Sequence, residues 1–137
     1  MTLPAEPGFR LPRIVAELNA ARPVHLAIIE GIHTATGAET NYGGSRPQAA
    51  VRPGVLIAGT NSVATDAVGL SVIGYDPMAD RGTPPFATAD NTLRIAEDLG
   101  VGVRDLRRNE IVGTPIKDVV FSYSAIRDKI LAAQKKA

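Results

Sequence analysis

Apolar positions fall into short runs separated by turn-rich stretches. Pro12 suits the first turn of a helix, and Ile14, Val15 and Leu18 supply its apolar face. Pro23 confines Arg22 to extended geometry, so this helix is expected to stop near Ala21. Residues 1–10 read as an irregular lead-in. The run Val24–Ile29 (VHLAII) reads as a buried strand of a mostly parallel sheet, with His25 as a core histidine rather than a ligand. Residues 31–53 show neither helical nor strand periodicity. Loops of that length in compact domains are functional or disordered.

A second apolar strand follows at Gly54–Gly59 (GVLIAG). Asn61 or Ser62 then suits the N-cap of a helix over roughly Val63–Ile73, ended by Gly74. Its apolar residues occupy most of its faces, which predicts burial on more than one side. Residues 75–87 are turn-rich, with Asp76-Pro77 and Pro84-Pro85. Thr88 or Asp90 suits the cap of a third helix carrying Leu93, Ala96 and Leu99, closed by Gly100. Glu110–Gly113 and Val119–Tyr123 read as two further strands. Ser124 opens a last helix with Ile126, Ile130 and Ala133. Helices alternating with strands predict an α/β fold: a small, mostly parallel sheet flanked by helices. Two central strands are few for a doubly wound sheet, so the chain reads as an incomplete part of a larger α/β domain. The expected organisation is a lead-in (1–10), one α/β domain (11–123) and a C-terminal helix (124–137).

Composition narrows the function classes. The chain has 137 residues, 45% hydrophobic and 21% charged, which is globular rather than disordered. Its formal net charge of +1 lacks the positive excess of a nucleic-acid footprint. No apolar run is long enough to span a membrane, and the first twenty residues hold no signal-peptide core. If Met1 is the natural start, the expected location is cytoplasmic. The absence of cysteine excludes disulfides, thiolate metal sites and any iron–sulfur cluster bound by this chain.

In open parallel sheets ligands bind beyond the carboxyl ends of the strands. The two central strands run into Glu30 and His33 and into Thr60 and Asn61, with Asp66 one turn into the helix. Were the strands parallel neighbours, these five residues would gather at one edge under the long loop. Each also has a structural reading: Glu30 solvated, His33 a lone loop histidine, Asn61 an N-cap. Asp66 stands on an otherwise apolar helix, where a carboxylate needs a partner. Backbone N–H groups near the helix start, a cation or an oriented catalytic group would each serve. Carboxylates suit hard ions, so a divalent cation held by Asp66 and Glu30 is one expectation. The stretch with Gly37, Gly43, Gly44, Ser45 and Arg46 could cradle an anion, but without the context of a P-loop it reads better as a flexible surface loop. Arg104, Arg107 and Arg108 read as a solvated charged face.

The segment Leu56–Pro77 (LIAGTNSVATDAVGLSVIGYDP) resembles the hallmark of a bacterial and archaeal family, domain of unknown function 362. The pattern is an apolar strand, Ala-Gly, a polar pair, Val-Ala-x-Asp-Ala-Val, an apolar helix, then Gly-aromatic-Asp-Pro. Leu18-Asn19 and Glu30-Gly31-Ile32 before this segment, and Leu99-Gly100 and Glu110–Gly113 after it, fall in the expected order, so the resemblance spans roughly residues 11–115. It implies an α/β domain without established activity. It covers the C-terminal part of longer members, whose N-terminal half would supply further strands. Some members carry ferredoxin-like cysteine segments, which this chain lacks. Glu30 and Asn61 stand where the family commonly has Asp, which weakens a metal role carried over to them; Asp66 matches. Two functions follow as expectations. One is small-ligand or divalent-cation binding at the sheet edge. The other is a non-catalytic module that packs against another chain, as a homo-oligomer or against a missing half.

Overall fold

The computed structural model describes residues 7–36 and 49–134. Helix α1 (Pro7–Ala21) leads to strand β1 (Ala27–Gly31) and β2 (Thr34–Thr36). After β3 (Ala49–Val51) and β4 (Val55–Gly59) come α2 (Ser62–Val72) and α3 (Thr92–Asp98). A 3-10 turn at Leu106–Arg108, the short α4 (Ile116–Val119) and α5 (Tyr123–Gln134) complete the order. The first helix begins at Pro7, within the stretch expected to be irregular. Pro7 can open a helix as well as Pro12 can, because neither needs its missing N–H in a first turn.

The expectation of a mostly parallel sheet is corrected. β1 pairs with β4 antiparallel, Ala27 opposite Gly59 and Gly31 opposite Val55. β2 pairs with β3 in the same sense, Thr34 opposite Val51. A parallel pair needs a crossover, usually helical, and the intervening sequence carries no helical pattern. The chain turns back as a hairpin arm instead, so part of the stretch read as structureless is strand. Between the two ladders Ile32 and His33 face Arg52, Pro53 and Gly54, one residue more on the returning strand. Such a bulge tolerates a proline without a ladder N–H. Gly54, at a φ of 72°, makes the kink and donates its N–H to Gly31 O at 3.0 Å.

Alternation along β1 and β4 half-buries Ala27, Ile29, Val55 and Ile57 on the side of α2, leaving Ile28 and Leu56 on the other. α2 packs on both strands and on α3, while α1 packs on α3. The core joins Ala16, Val63, Ala67, Leu93 and Ala96. Three of these five are alanine, so the helices can approach closely but share little apolar area.

Local signals in the sequence are met at the helix ends. Asn61 caps α2, its Oδ1 accepting from Ala64 N at 2.9 Å. α2 and α3 both close in Schellman motifs. Gly74 and Gly100 adopt φ of 87° and 77°, and the following N–H groups of Tyr75 and Val101 reach back to Leu70 O and Ala96 O. Other expectations fail. Glu110–Gly113 and Val119–Tyr123 form no strand. Ile116–Val119 is helical, and the chain beyond it runs along the end of α2, Phe121 N donating to Val72 O at 2.6 Å. His25 precedes β1 and is exposed rather than in the core. Arg104 is buried rather than solvated, its Nε donating to Glu97 Oε2 at 3.1 Å and its Nη1 to Pro77 O at 3.3 Å.

Candidate functional site

Antiparallel pairing separates the residues expected at one edge. Glu30 lies opposite Leu56, near the start of β4, whereas Thr60 and Asn61 follow the end of β4. The three strand steps from Leu56 to Gly59 alone amount to roughly 10 Å. Glu30 also lies on the sheet face away from α2, and its carboxylate closes a local turn. Its Oε1 accepts from Ile32 N at 2.6 Å and from His33 N at 3.3 Å. His33 and Thr60 are exposed. Arg46 lies outside the described residues, as do the glycines of that loop. Asn61 is engaged twice, by the cap on α2 and by donation from its Nδ2 to Val101 O at 2.8 Å. It borders a mixed polar and apolar recess of about 350 Å³ with Asn19, Pro23 and Leu99. Among the described residues no group of three or more His, Asp or Glu side chains gathers as a metal would require.

Asp66 faces a different place. Asp66, Gly69, Leu70 and Ile73 recur at the helical spacing that puts them on one face of α2. With Ile29 of β1, Phe86, and Thr92 and Leu93 of α3 they line an open groove of about 350 Å³. Apart from Asp66 and Thr92 the lining is apolar. Gly69 keeps the floor low: a Cβ there would stand 2.9 Å from Ile29 Cδ1. Asp66 makes no hydrogen bond or ion pair among the described residues. As a residue Asp66 is exposed, yet partial desolvation of its carboxylate in the groove holds its pKa above the ordinary aspartate value. The expected partner from backbone N–H groups near the helix start is therefore missing.

The opposite wall depends on a residue that sequence reasoning passed over. Asn91, not Thr88 or Asp90, caps α3, its Oδ1 accepting from Leu93 N at 2.8 Å and Arg94 N at 3.3 Å. Its Nδ2 donates to Pro77 O at 2.8 Å and to Ala79 O at 2.9 Å. With 0% exposure, this one side chain ties the start of α3 to the segment leading to Phe86. An asparagine just before a helical pattern signals a cap; nothing local signals that the same amide reaches back to residues 77 and 79. Phe86, in a run of turn residues, gave no sign of its place either.

These features define a mixed helix-and-sheet domain with an apolar groove, whose central helix carries in Asp66 a carboxylate without a hydrogen bond or ion pair among the described residues. Residues 5–71, just under half of the chain, match the model of the domain of unknown function family DUF362. The match takes in the hairpin arm and most of α2, Asp66 included. No curated protein and no solved structure gives a match. Among the described residues no helix is long and apolar enough to cross a membrane.

Proposed function

We propose that this domain binds a small organic ligand in the groove between α2, β1 and the start of α3. One observation carries the reading: a concave, largely apolar surface with a single charged group that has no partner among the described residues. Ligand sites are typically apolar clefts with a few placed polar groups, and about 350 Å³ lies at the small end of their range. A divalent cation is the weaker occupant, since such ions take six or more oxygens and Asp66 is the only carboxylate among the described residues of the lining. One carboxylate and one threonine make a binding set rather than a catalytic one. The test is titration with a neutral apolar fluorescent dye, for the parent chain and for Phe86→Ala. Saturable emission that falls sharply in the variant, with its far-UV circular dichroism unchanged, supports the groove. Emission indifferent to Phe86 refutes it.

A second reading, a module that associates with another copy of itself, is favoured by a separate observation. α1 buries its small residues, Pro12 and Ala16, and exposes its large ones, Leu11 at 64% and Leu18 at 66%. The outer face of the β1–β4 ladder likewise exposes Ile28 at 60% and Leu56 at 65%, and a two-stranded ladder is marginal by itself. Sedimentation velocity of the parent and of Leu11→Lys/Leu18→Lys decides it. A dimer that the double substitution dissociates supports association; a monomer at high concentration rules it out.

A further inference from the structure

The groove also specifies the chemistry of its occupant, and this step rests on the groove being a ligand site. We propose that it selects an organic monocation with an apolar body, such as a primary amine on a short aryl or alkyl chain, over neutral or anionic molecules of the same shape. The apolar lining, Ile29, Leu70, Ile73, Phe86 and Leu93, offers transfer free energy to a hydrocarbon body of either sign or none. Charge selection then falls to Asp66, because among the described residues no other charged side chain lines the groove.

Three features of that carboxylate point to a cation. It has no hydrogen bond or ion pair among the described residues, so an arriving ammonium displaces no protein partner. Its surroundings disfavour its charge, and an ammonium within hydrogen-bond reach restores what desolvation removed. Asp66 shares one helix face with Gly69, Leu70 and Ile73, so a cationic head at Asp66 leaves its body lying along the apolar floor. Gly69 keeps that floor open, since a side chain there would meet Ile29. An anion of equal size meets the same floor and a repelling carboxylate. A divalent ion meets one carboxylate and has nowhere to place an apolar body.

Isothermal titration of the full chain with three near-isosteric probes tests this: phenethylamine, phenethyl alcohol and hydrocinnamate. The expected order is amine tightest, by about tenfold or more over the alcohol, as a charge-assisted hydrogen bond provides, with hydrocinnamate weakest. Asp66→Asn should bring the amine down to the alcohol and leave the alcohol unchanged. Asp66→Glu should retain most of the amine preference. If amine and alcohol bind alike and both depend on Phe86, the groove is a site and the charge selection is wrong. If amine preference survives Asp66→Asn, another group reads the charge and the assignment to Asp66 fails. If none of the probes binds, the groove reading falls together with this one.

Discussion

Replacing Asn91 by alanine tests how the wall of the groove is held. Four hydrogen bonds leave this buried side chain, two to N–H groups at the start of α3 and two to the carbonyls of Pro77 and Ala79. Loss of an N-cap costs about 1 kcal/mol. A buried carbonyl stripped of its donor costs about 1 kcal/mol or more. Pro77 O keeps the donor from Arg104 Nη1, so Ala79 O bears most of the second loss. The sum is about 2–3 kcal/mol. For a chain of 137 residues the average unfolding entropy gives about 3.5 °C per kcal/mol, hence a fall of about 7–10 °C in Tm. Asn91→Asp separates the two roles. It keeps the acceptor that caps α3 but puts a carboxylate oxygen against two carbonyls, so at pH 7 it should be no more stable than Asn91→Ala. Urea unfolding followed by circular dichroism reads both variants. A loss below about 1 kcal/mol for alanine, or parental stability for aspartate, refutes the argument that the amide ties residues 77 and 79 to the helix.

Asp66→Asn should leave the fold as stable as the parent at pH 7 or slightly more so. A native pKa raised above 3.8 means that ionisation of Asp66 opposes folding. The penalty is absent below about pH 4 and sets in as pH rises through the native value. Destabilisation at pH 7 would reveal a partner for Asp66. Asp105 behaves in the opposite sense, because Arg107 lowers its pKa to about 2. Stability from that pair is full above pH 3.8 and is lost as pH falls towards 2, so Asp105→Asn should lower the neutral plateau of a pH–stability profile slightly and flatten its acid limb. Gly102→Ala places a Cβ in the carboxamide of Asn61; urea titration should show a loss of about 1–3 kcal/mol from displacing the cap of α2, and an unchanged midpoint would contradict that close approach. Glu30→Gln keeps an acceptor for Ile32 and His33 and lies on the face away from the groove, so stability should change by no more than about 0.5 kcal/mol and dye binding not at all; lost binding would put Glu30 back in the site.

The parts legible in the sequence are those governed by neighbours along the chain. Asn61 before an apolar run, Gly74 and Gly100 after such runs, and Asp66 on an apolar helix were readable because capping and helical spacing are local. Strand direction was not, because pairing depends on the path of the intervening chain. Residues 31–53, read as a loop over a site, contain the bulge and the second ladder that turn the chain back. That single difference moves Glu30 away from Asp66 and replaces the expected edge by the groove. Glu110–Gly113 and Val119–Tyr123 failed for the complementary reason. Short apolar runs do not distinguish strand from extended chain, and here the backbone of residues 121 and 123 bonds to the end of α2. The burial of Arg104 came from its partners, Glu97 and Pro77, seven and twenty-seven residues away, beyond the reach of a charge pattern.

The most direct test of the central claim is amide chemical-shift mapping of the full chain during titration with phenethylamine. The groove reading requires saturable shifts centred on Ile29, Asp66, Gly69, Leu70, Ile73, Phe86 and Leu93, with Glu30, His33 and Thr60 unmoved. Shifts centred on the ends of β1 and β4 instead, or no saturable shift at all, would contradict it.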